Sequence, residues 1–214
     1  MRLRISFSKL ESIRFTSHLD LFRTWERTLR RAGLPLAYSR GFKPHPRINL
    51  AAALPLGFTS DCELVDIWLD TELPLKQIEY ALKQACPPGL QIHHILAVEE
   101  RLPPLQKDLL AADYLITFPE PLPDLASKLM RLLTARSVLR ARRGKTYDLR
   151  PLILELNLEE EDETGCQRLR MRLNAGEGAT GRPEEVILEL GGTPIRTRIH
   201  RTQLIFREIP TAEN

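Results

Sequence analysis

The ten residues 38–47 hold the densest set of groups in this chain that could do chemistry. Their sequence, Tyr-Ser-Arg-Gly-Phe-Lys-Pro-His-Pro-Arg, places His45 between two prolines, each of which fixes its own φ and restricts the preceding residue. Cations and an imidazole on a stiff backbone suit anion binding or proton transfer. We call this segment the Pro-His-Pro loop and predict that it binds an anion or RNA. The candidate binding residues are Tyr38, Arg40, Phe42, Lys43 and Arg47. The alternative is a stiff turn whose histidine bonds only the backbone.

Two histidines, His18 and His45, are candidates for acid–base catalysis. Ser17 and Asp20 form a Ser-x-x-Asp signal that begins a helix. His18 would then lie in the first turn, where the helix dipole favours a neutral imidazole and attracts phosphate. An antiparallel return of the chain would bring this helix start and the Pro-His-Pro loop into one cationic site. Alternatively, His18 only donates to a neighbouring carbonyl.

The net charge of +3 hides a strong segregation of charge along the chain. The first fifty residues hold eleven Lys or Arg against three Asp or Glu, and the next fifty hold two against eight. A second basic block precedes residue 151, and its candidate RNA contacts are Arg140, Arg142, Arg143, Lys145 and Arg150. Arginine-rich segments favour phosphate, so the blocks indicate RNA binding. The alternative is that they are solvated faces balanced by the acidic stretches.

Composition is typical of one or two soluble domains, with 43% hydrophobic and 28% charged residues in 214. No apolar run approaches the roughly 18 residues of a membrane span, and the N-terminal residues lack a signal peptide's apolar block. Three scattered cysteines favour neither disulfides nor a metal site. No phosphate loop, dinucleotide fingerprint or cluster-binding cysteine run occurs. We therefore expect a cytoplasmic chain with no membrane partner, metal or cofactor of its own.

Hydrophobic periodicity predicts the same element order twice. In the first half, a strand from Arg2 precedes a helix that ends near Gly33, and Phe22, Trp25 and Leu29 form its buried stripe. Two strands, a second helix and a last strand follow. This β-α-β-β-α-β order predicts an α+β fold of two tandem ferredoxin-like domains with antiparallel sheets, at 1–101 and 108–209. The basic segment 136–150 is then the second domain's counterpart of the Pro-His-Pro loop.

Short motifs with a specific combined spacing cover about residues 1–207. They are Ser17-His18-Leu19-Asp20, Arg30-Arg31-Ala32-Gly33-Leu34-Pro35, the Pro-His-Pro loop, Leu54-Pro55-Leu56-Gly57, Glu63 with Asp66, Lys145 with Asp148-Leu149-Arg150-Pro151, and Arg182-Pro183-Glu184-Glu185. Together they resemble the radical-SAM-associated proteins of the domain-of-unknown-function family numbered 2344. Lys43 stands where that family has asparagine.

This resemblance implies a context rather than a mechanism. Members of the family are fused to, or encoded beside, a radical SAM protein, often near ribosomal-protein and ribonuclease genes. The resemblance therefore implies a radical SAM protein as partner, with the iron–sulfur cluster and S-adenosylmethionine held by that partner alone.

Three functions follow from these observations. The first, which we favour, is a non-catalytic RNA-binding partner of a radical SAM enzyme in tRNA or rRNA modification. The second is a metal-independent enzyme that processes or modifies RNA through His18 or His45. The third is a protein-only scaffold for the radical SAM partner.

Overall fold

The first 108 residues form one unit around a four-stranded antiparallel sheet. The computed structural model describes residues 1–142, 144–176 and 178–207 of the chain. The elements of the first unit are β1 (Arg2–Lys9), α1 (His18–Arg31), β2 (Ile48–Leu50), β3 (Phe58–Trp68), α2 (Leu75–Ala85), β4 (Leu90–Val98) and the short α3 (Leu105–Asp108). In space the strands run β4-β1-β3-β2.

Helices α1 and α2 supply the core of the first unit. The predicted cap is present, because the Asp20 N–H donates to Ser17 Oγ at 3.2 Å. Trp25 is completely buried, and its ring packs edge-on against Phe7 with centroids 4.9 Å apart. Phe22 is only partly buried, since it flanks the stripe that faces the sheet. The rest of this core includes Leu3, Ile5, Leu21, Leu29, Val65, Ile67, Ile78 and Leu82.

A buried ion pair fixes the segment that follows β4. Arg2 Nη2 lies 2.5 Å from Asp66 Oδ2, with both side chains out of contact with solvent. The same guanidinium donates to the carbonyls of Leu102 at 2.5 Å and Pro103 at 3.0 Å. Leu102 and Pro103, which lie between the two predicted domains, are therefore bonded to the first unit, because a buried arginine needs acceptors for its remaining N–H groups.

The second unit begins at Leu109 and has its own antiparallel sheet. Its elements are β5 (Leu109–Phe118), α4 (Leu125–Thr134), β6 (Leu139–Arg142), β7 (Lys145–Asp148), β8 (Ile153–Glu159), β9 (Gln167–Asn174), α5 (Pro183–Glu189) and β10 (Arg198–Phe206). The four sheet strands run β10-β5-β9-β8, and β6 and β7 form a separate hairpin. The predicted α+β class is confirmed. The predicted end of this domain, residue 209, lies outside the described residues.

The two units share one arrangement of elements. Each has a helix, then a hairpin, then the second sheet strand: the Pro-His-Pro loop lies between α1 and β2, and β6–β7 lies between α4 and β8. The sequence predicts an insertion at 136–150 but not that it is a hairpin. Within the described parts of the chain, no helix combines the length and the apolar composition needed to cross a membrane.

Candidate functional site

The Pro-His-Pro loop is a hairpin braced at its base. Tyr38 pairs with Pro46 in an antiparallel bridge. One residue further, the Ser39 N–H donates to the His45 carbonyl at 2.8 Å, and the His45 N–H donates to Ser39 Oγ at 3.0 Å. These bonds use the backbone of His45 and leave its imidazole exposed. The backbone is thus held on both sides of a short tip, residues 40–44.

The tip presents an aromatic ring between two cations. All five of its residues are exposed, and Phe42 is fully so. Neither Arg40 nor Lys43 forms an ion pair with any residue that the structure describes. An exposed phenyl ring keeps its apolar surface hydrated, which is unfavourable without a partner. The tip therefore suits a ligand that offers both a flat π face and negative charge.

Arg47 is held at the base of the loop by Trp68. Its guanidinium carbon lies 4.6 Å from the centre of the Trp68 ring. Its N–H donates to the Ala37 carbonyl at 2.8 Å, and its own carbonyl accepts from the Trp68 N–H at 3.1 Å. A guanidinium stacked on an indole keeps its N–H edge directed outward. Arg47 is therefore an exposed cation with a fixed position.

His18 begins α1 at the other end of β1. The preceding turn is anchored by buried Lys9, whose Nζ donates to the Thr16 carbonyl at 2.9 Å. Ser17 Oγ donates to the Asp20 carboxylate at 2.7 Å. Asp20 thus places a carboxylate in the first turn, where a bound phosphate would otherwise interact with the helix dipole. The start of α1 therefore already holds a negative charge, the carboxylate of Asp20.

The two candidate histidines do not share a site. The base of the Pro-His-Pro loop adjoins Trp68, which pairs with Arg2 at the start of β1. His18 adjoins the opposite end of β1. The strand has eight residues and spans roughly 23 Å at 3.3 Å per residue. The predicted convergence of His18 with His45 therefore does not occur, because α1 runs the length of the sheet between them.

Two predicted RNA contacts of the second unit are engaged within the protein. Arg140 Nη2 lies 2.7 Å from the Glu189 carboxylate of α5. Arg150 donates through Nε and Nη2 to the Leu133 carbonyl, at 3.2 and 3.0 Å, and through Nη1 to the Ile153 carbonyl at 3.0 Å. It thereby caps the end of α4 and joins it to β8. Both arginines therefore have structural contacts within the protein, and their role as RNA contacts stays a prediction. Arg143 lies outside the described residues.

The remaining cations of the basic block line a cavity of about 680 Å³. Arg142 and Lys145 are cross-strand neighbours in the β6–β7 hairpin, and Arg182 precedes α5. Tyr147 and Asp148 also line the cavity. The sequence predicts Arg142 and Lys145 as anion contacts. It indicates Arg182 only as part of a family motif.

Two titratable groups of this cavity have shifted pKa values. Burial, and next the negative charge of Glu185, raise the pKa of the Tyr147 hydroxyl. The Val138 N–H, which donates to the Asp148 carboxylate at 2.8 Å, is the main cause that lowers the pKa of that carboxyl. The Arg150 N–H donates to the same oxygen at 3.0 Å. The tyrosine is thus neutral and the aspartate ionised at neutral pH.

Trp68 and Tyr147 were missed by sequence reasoning, although each has a detectable signal. Side chains two residues apart on a strand share a face. Lys145 and Tyr147 have this spacing, and so do Asp66 and Trp68. The alternation could therefore have grouped each aromatic with its charged neighbour, but not with partners distant in sequence.

The other candidate aromatic and histidine residues lie elsewhere. Phe58 of β3 is buried and belongs to the core. His93 Nε2 lies 2.6 Å from Ser8 Oγ on β1. In residues 1–142, 144–176 and 178–207, no three His, Cys, Asp or Glu side chains are grouped so that they could hold a metal ion.

Comparison of the sequence with protein families gives one match that covers most of the chain. Residues 2–183 match the family described as "Uncharacterized protein conserved in bacteria (DUF2344)", and the chain belongs to that family. A comparison with curated proteins finds no match.

Comparison with solved structures finds similar folds at low sequence identity. A chain of a Cbf5-Nop10-Gar1 complex is similar with a TM-score of 0.50 and 11% identity, over 97% of this chain and 50% of that one. A chain of an archaeal box H/ACA sRNP Nop10-Cbf5 complex gives a TM-score of 0.46 and 11% identity, over 97% and 49%. This chain spans about half the length of these two chains. The likeness concerns the fold alone.

Proposed function

We propose that this member of the DUF2344 family is a non-catalytic, cytoplasmic RNA-binding subunit that holds a tRNA or rRNA for modification by a separate radical SAM enzyme. The observation that carries RNA binding is the braced tip, where exposed Phe42 lies between Arg40 and Lys43, neither of which forms an ion pair within the described parts of the chain. The partner enzyme rests on the motif resemblance alone. In this proposal the partner holds the iron–sulfur cluster and S-adenosylmethionine.

The chemistry of the tip matches an unpaired stretch of RNA. Bases that are splayed out of a helix stack on aromatic side chains, and their phosphates are bound by nearby cations. Phe42 offers the stacking surface, while Arg40 and Lys43 offer charge on either side. Because the loop is braced by Ser39 and His45, little conformational freedom is lost on binding.

We further propose that each unit is a ferredoxin-like domain. The connectivity β-α-β-β-α-β and the strand orders β4-β1-β3-β2 and β10-β5-β9-β8 support this assignment. In each unit, the first and last sheet strands are neighbours and the second lies at the end. The hairpin that follows the first helix is then an addition to the domain in both copies.

The enzyme alternative acts through His18 or His45. The two histidines lie toward opposite ends of β1, so they do not act together. RNA cleavage needs both a base and an acid, so this alternative requires a second acid–base group beside one of them. The scaffold alternative, in which the chain contacts only the radical SAM partner, predicts no salt-dependent binding of RNA.

RNA binding through the tip is tested by fluorescence anisotropy with tRNA and rRNA-fragment transcripts. We expect F42A to weaken binding about tenfold, since base stacking contributes roughly 1–3 kcal/mol. The matched control is Y80A, which removes another exposed aromatic ring of the first unit. For the cations, K43A is compared with R27A, an exposed arginine of α1. Equal affinities of F42A and Y80A would contradict RNA binding through the tip, and absence of RNA binding by the parent protein would favour the scaffold.

The partner assignment needs a separate experiment. The tagged chain is co-expressed with a candidate radical SAM protein, and the complex is purified under anaerobic conditions. We expect an iron–sulfur protein to co-purify and RNA to be protected with it. RNA binding without any iron–sulfur partner would retain the RNA proposal and overturn the partner.

A further inference from the structure

The cavity of the second unit is lined by three cations without ion pairs. Among the described residues, Arg142, Lys145 and Arg182 form no salt bridge, in contrast to Arg140, whose guanidinium contacts Glu189. This group of three cations thus has no carboxylate within salt-bridge distance among the described residues, and the nearby Glu185 carboxylate lies 3.8 Å from Arg140 Nε. Such a group is stabilised when an anion binds between its members.

The placement of two of these cations is unfavourable without a ligand. Arg142 and Lys145 are directly opposed in the β6–β7 hairpin. Like charges at opposed positions of an antiparallel pair destabilise it. The next opposed pair on the same face is Arg140 and Tyr147, so the four side chains lie on one face of the hairpin. An anion bound at this face would offset the repulsion between the two cations, because each cation attracts the anion.

Asp148, the one carboxylate found in the cavity lining, does not neutralise this group. Its Oδ1 already accepts from the N–H groups of Val138 and Arg150. A further hydrogen bond from Ser137 also stabilises its ionised form. The ionised carboxylate thus holds its own loop together, and among the described residues it forms no salt bridge with the three cations.

Tyr147 adds a hydrogen-bond donor. Its Oη is buried and has no hydrogen-bond partner among the described residues. Leaving a buried hydroxyl unsatisfied is costly, so such a group is commonly completed by a ligand or water. Because burial and Glu185 keep the hydroxyl protonated, it can donate to a phosphate oxygen.

The cavity is larger than a bare phosphate and has an apolar side. Its volume of about 680 Å³ lies within the range of small-molecule sites. Pro151, Leu152 and Ala179 line it beside the cations. Gly181 keeps the segment before α5 close to Leu152, since a Cβ there would lie 2.9 Å from the Leu152 carbonyl oxygen. The site thus joins a cationic end to an apolar wall.

From these features we infer that the cavity binds a nucleotide through its phosphate, with Arg142, Lys145 and Arg182 on the phosphate and the apolar wall against the base or sugar. The nucleotide is either a free nucleoside monophosphate or the 5′-phosphorylated end of an RNA. This site is separate from the Pro-His-Pro loop, so it does not rest on RNA binding by that loop.

The test uses the full-length protein and measures binding of three probes by calorimetry or anisotropy. The probes are adenosine monophosphate, a short single-stranded RNA with a 5′-phosphate, and the same RNA with a 5′-hydroxyl. The variants are K145A, R182A and Y147F, with R136A as a matched exposed cation outside the cavity lining. Thermal denaturation checks that each variant is folded.

We expect K145A and R182A to weaken phosphate-dependent binding about tenfold each, Y147F to weaken it less, and R136A to leave it unchanged. Equal affinity for the monophosphate and the 5′-phosphorylated RNA identifies a free nucleotide. Tighter binding of the phosphorylated RNA than of both other probes identifies an RNA end. If no probe shows binding that depends on its phosphate and on Lys145 or Arg182, the inference is overturned. Loss of RNA binding in F42A alone would leave this result intact.

Discussion

The guanidinium of Arg47 lies 4.6 Å from the centre of the Trp68 ring, and the backbone N–H of Trp68 donates to the Arg47 carbonyl at 3.1 Å. Arg2, which is paired with buried Asp66, lies over the same ring at 4.9 Å. The base of the Pro-His-Pro loop is therefore fastened to β3 and, through Arg2, to the ion pair beneath it. The exposed guanidinium of Arg47 is thus held by a rigid part of the first unit.

The first prediction concerns this contact. R47K should weaken RNA binding about threefold although it keeps the charge, because an ammonium does not stack on indole as a guanidinium does. W68L should cause a similar loss by freeing Arg47. The double variant should be little worse than either single variant in a double-mutant cycle. Fully additive losses would show that Arg47 and Trp68 act independently.

The second prediction concerns the core of the first unit. Trp25 is completely buried against Phe7, so W25A should lower the free energy of unfolding by about 3–5 kcal/mol. F22A should cost less, since Phe22 is only partly buried. Denaturant titration measures both. An unchanged midpoint for W25A would contradict the packing of α1 on the sheet.

The third prediction distinguishes a cation with a structural role, Arg150, from a cation that lines the cavity, Lys145. R150A removes the donors to the Leu133 and Ile153 carbonyls and should destabilise the protein by about 1–3 kcal/mol. K145A removes an exposed side chain and should change stability by less than about 0.5 kcal/mol. Thermal and denaturant unfolding test both variants. The assignment fails if K145A is the more destabilising.

The fourth prediction is a pH dependence from Asp148. Its pKa is lowered in the folded protein, chiefly by the Val138 N–H, so the ionised carboxylate stabilises the fold. This stabilisation is fully present above the ordinary aspartate pKa of about 3.9, and it is lost as pH falls through the lower folded value. The melting temperature of D148N should therefore be lower than that of the parent above about pH 5, and the difference should shrink below about pH 4. A difference that persists unchanged in acid would contradict the role of the charge.

Local signals in the sequence predicted most of the fold. Ser17 and Asp20 indicate the start of α1, and periodic apolar residues indicate its buried stripe, because caps and periodicity act over a few positions. The β6–β7 hairpin was missed because its charged strands lack the apolar alternation that marks a strand packed on a core.

The candidate site was harder to predict, since its members are brought together by the fold. Arg140 and Arg150 looked like phosphate contacts, but their partners Glu189 and Leu133 lie 49 and 17 residues away. Conversely, the separation of His18 from His45 depends on the direction in which α1 crosses the sheet. Residue types indicated cations and histidines, and only the fold showed which of them face solvent.

The central claim, that the Pro-His-Pro loop contacts RNA, is tested most directly by ultraviolet crosslinking followed by peptide mapping. Trypsin cleaves after Arg40 and Arg47, and Pro44 protects the bond after Lys43, so residues 41–47 form one peptide that contains Phe42. We predict that a nucleotide crosslinked to this peptide is found with tRNA or rRNA fragments and is lost in F42A but not in Y80A. Crosslinks that map only to other peptides, at full occupancy of the RNA, would contradict the claim.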